Sequence, residues 1–181
     1  MIEKPTVLFS EDEIRRRVAE VSAEIGEASR GRVLSVVGLM KGCLCLMADI
    51  VRALPVDVTC HFLRVAAQRG EGYPPRTEIA FESSIDWKDR DVLLLDDVVD
   101  TGITLHYLLG HIREHAPRSL QVCALLDKPA ERKVEVRPDW ALFTLPEGME
   151  ERFIVGYGLD LGERFRGLPY LGTVARTPGP A

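Results

Sequence analysis

The sequence is short of every feature that would set it apart from ordinary globular proteins. No apolar run approaches the roughly 20 residues that a bilayer-spanning helix needs. The opening MIEKPTVLFSEDE also lacks the basic segment and apolar stretch of a secretory signal. A cytoplasmic location without a membrane partner is therefore expected. Positive charge is not in excess: a formal net charge of -5 speaks against a broad nucleic-acid surface, so no nucleic-acid partner is expected. Cysteine is scarce. Cys43, Cys45, Cys60 and Cys123 form no pair of Cys-x-x-Cys motifs, and all four read as reduced core thiols rather than zinc ligands. Internal repeats, low-complexity tracts and interdomain linkers are also missing, and 181 residues with 46% hydrophobic content suit a single domain over 1–181 with a substantial core.

What is present centres on residues 91–112. Val92, Leu93, Leu94 and Leu95 form an apolar run without polar alternation, which fits a strand covered on both faces of a parallel sheet. Asp96, Asp97 and Asp100 follow at once as an acidic loop. After Gly102, Leu105, Leu108, Leu109 and Ile112 recur at helical spacing and predict a helix with one face on the core. A loop that leaves a strand and opens a helix lies where open α/β sheets bind ligands. Thr101, Gly102 and Thr104 offer hydroxyls and unhindered N–H groups at a helix N-terminus, which favours an anion such as phosphate. The acids before them suit ribose hydroxyls or a divalent metal. A phosphorylated ribose has both features.

The rest of the chain supports the same alternation. Ser10 and Glu13 have capping-box spacing, and Ile14, Val18, Val21 and Ile25 then predict a packing helix ending near residues 29–31. Val33–Val37 reads as a strand, residues 38–42 as a turn and Cys43–Ala53 as a helix. Lys41 and Gly42 thus occupy a strand-to-helix turn from which a cation could reach a bound pyrophosphate. Val58–Val65 reads as a strand with Phe62 and Val65 inside. Ala66–Arg76, rich in glycine and proline, reads as a mobile loop, and Thr77–Phe81 as a returning strand. Residues 87–90 form a polar approach to the central motif. Leu120–Leu126 is a further buried strand, Glu131-Arg132-Lys133 a solvated segment, Trp140–Leu145 a strand, and Leu168–Val174 a last strand before a loose tail over 175–181.

The segment LLLDDVVDTGITL resembles the phosphoribosyl pyrophosphate (PRPP) signature of type I phosphoribosyltransferases. LMKGCLCLMADIVRALP, LLDKP, RPDWALF and FIVGYGLDLGERFRGLPYLG, in that order, resemble the hypoxanthine-guanine branch, and the likeness covers nearly the whole chain. Asp-Thr-Gly also occurs in retroviral-type aspartic proteases, but those are all-β and a helix is predicted after Gly102. The resemblance implies an α/β fold: a mostly parallel sheet flanked by helices, core roughly 30–145, with a small hood from the terminal segments.

It implies transfer of phosphoribose from PRPP to a purine base, with magnesium on the leaving group. Asp96 and Asp97 would hold the ribose hydroxyls directly or through the metal, Asp100 would be the general base, and Thr101, Gly102 and Thr104 would hold the 5'-phosphate. Lys41, Gly42 and Arg166 match pyrophosphate contacts, and the Lys41–Gly42 peptide matches one that can be cis. Asp160 matches a carboxylate of the metal shell. Phe153 matches the aromatic stacked on the purine, Ile154 the backbone that reads the base edge, and Arg137 the position of a lysine that donates to a 6-oxopurine.

Two departures mark this sequence. The flexible loop of the family usually carries a Ser-Tyr pair where Ala67 and Gln68 stand, and residues 146–152 are a longer, acidic connection. They keep open a PRPP- or nucleotide-binding regulator on the same fold, and Arg137 keeps open an enzyme using another base. The resemblance also implies a homodimer or homotetramer.

Overall fold

In the computed structural model, which describes residues 4–68, 76–81, 85–149 and 152–175, strand β1 (Thr6–Phe9) leads into helix α1 (Glu11–Ala28). The capping box is formed. The Ser10 hydroxyl accepts from the Glu13 N–H at 3.3 Å, and the Glu13 carboxylate accepts from the Ser10 N–H at 2.8 Å, so donors that a helix start leaves open are satisfied. Ile14, Val18, Val21 and Ile25 are all buried, as their shared helical face predicts.

The main sheet has the order β4-β3-β2-β5-β6-β7, built from β2 (Leu34–Met40), β3 (Val58–Gln68), β4 (Arg76–Phe81), β5 (Asp91–Val99), β6 (Ser119–Asp127) and β7 (Trp140–Thr144). All neighbours run parallel except β4, which is antiparallel to β3. Helices α1 and α2 (Leu44–Ala53) cover one face and α3 (Ile103–Arg113) the other. Successive strand side chains alternate between these layers: Leu93 and Leu95 join the α1/α2 core, whereas Val92 and Leu94 join the α3 core. An unbroken apolar run is what such a doubly covered strand requires, and each buried leucine contributes about 1.5–3 kcal/mol. The expected α/β class and mostly parallel sheet are therefore observed.

A second, antiparallel sheet, β1-β9-β8, joins β1 to β8 (Arg152–Val155) and β9 (Leu171–Ala175). Phe9 stacks on Phe143 of β7 with ring centroids 4.1 Å apart, and Ile154, Tyr157 and Leu171 extend the α1/α2 core. Met149, in the acidic connection before β8, packs on the same core.

At the amino ends of the main strands, Asp91 is 1% exposed and fully engaged. Arg32 Nη1 lies 2.9 Å and Arg118 Nη1 3.2 Å from its carboxylate, and the Ser119 hydroxyl donates at 2.7 Å. This cluster ties the starts of β2, β5 and β6 together. Among the described residues no helix is long and apolar enough to cross a membrane.

Several boundaries differ from expectation. Val33 is exposed and precedes β2, which instead runs on through Gly38 to Met40. Ala67 and Gln68 pair with Thr77 and Arg76, so both ends of the expected mobile loop are strand; residues 69–75 lie outside the described ones, as do 176–181 of the expected tail. Among the described side chains of β3, Leu63 is the buried one, with Phe62 and Val65 packed against opposite layers. Cys60 is exposed, not a core thiol, although all four cysteines are free. Trp87, within the expected polar approach, is buried in the α3 layer.

Candidate active site

Parallel strands bring their carboxyl ends to one edge, the place where open α/β sheets bind ligands. The register pairs Gly38 with Leu95 and Val99 with Asp127. It thereby lines up the Lys41-Gly42 turn after β2, the acids that end β5, and Lys128 after β6. Asp96 and Asp97 are not in a loop: β5 continues through them to Val99. Asp96 is buried, and burial, reinforced by the neighbouring Asp97 charge, pushes its carboxyl well above the usual carboxylate range. Burial raises Asp97 as well, opposed by the Val98 N–H that donates to its Oδ1 at 2.8 Å. Among the described residues neither acid has an ion-pair partner, although Arg166 stands near enough to favour a charged Asp97. Two adjacent desolvated carboxylates form a donor set that suits hydroxyls or a hard metal ion.

The packing beside Asp97 leaves no room for side chains. A Cβ on Gly42 would overlap the Asp97 carboxylate, and one on Gly158 would overlap the Gly42 carbonyl. Only glycine lets the turn after β2, the end of β5 and the loop after β8 approach this closely. The peptide bond before Lys41, Met40–Lys41, is cis, one bond earlier than the resemblance indicated. Lys41 Nζ reaches both carboxylate oxygens of Glu163 at 3.2 Å. Arg166 Nη2 is 2.7 Å from Asp160 Oδ1, and its Nη1 donates to the Gly158 carbonyl at 2.7 Å. Asp160 Oδ2 accepts from the Glu163 N–H at 2.7 Å. Lys41, Gly42, Asp160 and Arg166 are thus brought together.

Gly102 caps α3 with φ 80°, a left-handed conformation that favours glycine. The Thr101 hydroxyl accepts from the Ile103 N–H at 3.4 Å. Asp96, Asp100, Thr101, Gly102, Thr104 and Leu105 line a cavity of about 70 Å³ at this helix start, where unpaired N–H groups and the helix dipole favour an anion.

One residue of this arrangement escaped the sequence. Arg132 was expected to be solvated, yet its side chain is only 14% exposed. Its Nη1 donates to the Asp100 carbonyl at 2.8 Å, and its guanidinium pairs with Asp127. The Lys133 N–H donates to the Thr101 carbonyl at 2.9 Å and the Lys128 N–H to the Val99 carbonyl at 3.0 Å. A segment that reads as an ordinary charged turn therefore fastens the loop from Val99 to Thr101. Its only sequence signal is an acid at Asp127 and a base at Arg132 on either side of Pro129.

Phe153, 37% exposed, and buried Ile154 sit side by side on β8. Arg137 follows Val136, whose side chain lies against the start of α3: a Cβ on Gly102 would come within 2.5 Å of Val136 Cγ1. β6 brings Lys128 to the same edge, directly after Asp127. Among the described residues no three His, Cys, Asp or Glu side chains converge as a metal cage; Asp160 pairs with Arg166, whose charge also acts on Asp97.

The model of the phosphoribosyl transferase domain family matches residues 8–161. The chain is 35% identical to the hypoxanthine-guanine phosphoribosyltransferase of Bacillus subtilis, covering 93% of this chain and 92% of that protein. It is 36% identical to the enzyme of the same name from Mycobacterium avium, over 93% of this chain and 85% of that one. Among solved structures, a hypoxanthine-guanine phosphoribosyltransferase of Bacillus anthracis superposes with a TM-score of 0.86 at 32% identity, covering 96% of this chain and all of that one.

Proposed function

The chain belongs to the phosphoribosyl transferase domain family, and from that premise we propose that it transfers the 5-phosphoribosyl group of PRPP to a 6-oxopurine, hypoxanthine or guanine, releasing pyrophosphate in purine salvage. The observation that carries this reading is the Asp96–Asp97 pair, without an ion-pair partner among the described residues, beside the anion cradle at the start of α3. Thr101, Gly102 and Thr104 hold the 5'-phosphate through hydroxyls and backbone N–H groups. Asp96 and Asp97 take the ribose hydroxyls. Lys41, the Gly42 backbone and Arg166 hold the pyrophosphate.

The transition state of such a displacement places positive charge on the ribose ring, and the acids beneath it stabilise that charge. Asp100, on the same loop, accepts the proton released from the attacking purine nitrogen. Phe153 stacks on the base and the Ile154 backbone reads its edge. Arg137 supplies the donor to the 6-oxo group, from a segment whose Val136 lies against Gly102 at the start of α3.

Magnesium fits the donor chemistry: it is bound through one or two carboxylates plus substrate phosphates rather than in an all-protein cage. Asp96, Asp97 and Asp160 are the oxygens that would hold it, and when bound it neutralises charge on the departing pyrophosphate. A cytoplasmic homodimer or homotetramer belongs to the same reading.

The test is turnover of the purified protein with PRPP and magnesium chloride on hypoxanthine, guanine, xanthine, adenine and uracil in turn. Turnover confined to the 6-oxopurines and abolished by Asp100→Ala is expected. Saturable PRPP binding without turnover on any base would make the protein a PRPP-binding regulator instead. Arg137→Ala should raise the KM for the base about tenfold, the scale of one lost charged hydrogen bond.

A further inference from the structure

Two cations of the ligand edge are already engaged by one exposed acid. Glu163 presents both carboxylate oxygens to Lys41 Nζ at 3.2 Å, and its Oε2 also lies 3.4 Å from Arg166 Nη2. Lys41 and Arg166 come from segments far apart in the sequence, and Glu163 is the group that bridges them. The bridge is built in from its own backbone: Glu163 has φ 62°, a conformation that a residue with a side chain adopts at a cost, and its N–H is fixed on Asp160 Oδ2. Among the described residues, the buried Arg166 Nε has no hydrogen-bond partner. The guanidinium therefore retains an unused donor at this junction.

We propose that Glu163 is an affinity-determining residue of the pyrophosphate subsite: its carboxylate occupies Lys41 and Arg166 in the free protein and is displaced when pyrophosphate, or the pyrophosphate group of PRPP, binds. The proposal rests on the assignment of Lys41 and Arg166 to that subsite. Two charge effects act in the same direction. The ligand must break the Lys41–Glu163 pair, and it must then lie near a like charge. The Lys41 and Glu163 side chains are 58% and 66% exposed, so the pair is solvent-screened and gives way readily. Its function is to weaken the hold on the leaving group and so to speed its departure.

The test is calorimetric binding of inorganic pyrophosphate, in magnesium chloride, to the full chain and to Glu163→Gln, with Glu163→Ala as a second variant and ribose 5-phosphate as the control ligand. Both variants should bind pyrophosphate roughly three- to fivefold more tightly, the scale of an exposed ion pair, with unchanged affinity for ribose 5-phosphate. In a Lys41→Met background the gain from Glu163→Gln should shrink. Unchanged or weaker pyrophosphate binding by the Glu163 variants would overturn the proposal while leaving the subsite in place. If Lys41→Met alone leaves pyrophosphate binding untouched, the subsite assignment fails and the proposal falls with it.

Discussion

Strand β5 carries a buried aspartate near each end, and the two have opposite surroundings. Asp91, at the amino end, is held by two guanidinium groups and a hydroxyl. Asp96, five residues on, has another carboxylate for a neighbour and is pushed toward its protonated form by burial and by that neighbour's charge. The same residue type on one strand is a fastening at one edge of the sheet and, in the function proposed above, a ligand-binding group at the other. Burial does not separate the two roles; the partner set does, because a buried charge without a counter-charge persists only where something else supplies it.

Substitutions at the two edges should therefore fail in different ways. The largest effect belongs to the ligand edge: Asp100→Ala should lower kcat by about 10²- to 10⁴-fold, the scale of a lost general base, with a PRPP dissociation constant from calorimetry that changes little. Equal loss of binding and turnover would remove Asp100 from that role. At the opposite edge, Asp91→Ala should cost roughly 2–4 kcal/mol of stability in urea unfolding. This is below the full cost of breaking a buried pair, because Arg118 can regain water. KM for PRPP should not move.

Asp96→Asn should do the reverse and stabilise the metal-free, ligand-free protein at pH 7 by about 1–3 kcal/mol, while weakening PRPP binding. The sign follows from the raised carboxyl of Asp96. The folded state binds a proton more tightly than the unfolded chain does, so the wild type loses stability as pH rises from the ordinary carboxylate range through the raised value. The advantage of the asparagine, followed by thermal unfolding in EDTA, should accordingly shrink as pH falls toward 4. The smallest effect is expected at Arg132, which touches the Asp100 carbonyl without reaching the ligand positions. Arg132→Ala should lower kcat/KM about tenfold, in line with one charged hydrogen bond. Partial recovery in Arg132→Lys would separate positioning from a general loss of structure.

Helical periodicity and unbroken apolar strands were the legible part of this sequence, because both are properties of neighbouring residues. Leu105, Leu108, Leu109 and Ile112 had to face one core, and Val92–Leu95 had to lie between two. The ends of the parallel strands were not legible. Asp96 and Asp97 read as loop residues because aspartate is depleted in strands, yet they extend β5 at the edge where ligands bind. The Arg132 contacts depend on a tertiary meeting with the Asp100 carbonyl that no local pattern encodes. The meeting of Val136 with Gly102, which sets the segment of Arg137 beside the start of α3, is likewise tertiary and has no local signal. Cys60 shows the limit of composition, since an apolar neighbourhood in sequence did not make it buried.

The contact among Gly42, Asp97 and Gly158 has a consequence for how activity appears during folding. The three residues belong to segments separated by more than fifty positions at each step, and they meet with no gap wide enough for one methyl group. Secondary structure alone cannot create that junction; it exists only after the loop following β8 has settled against the turn following β2. Enzyme activity is thus a clock for the last docking event, and in a refolding experiment it should return after the helical signal has done so.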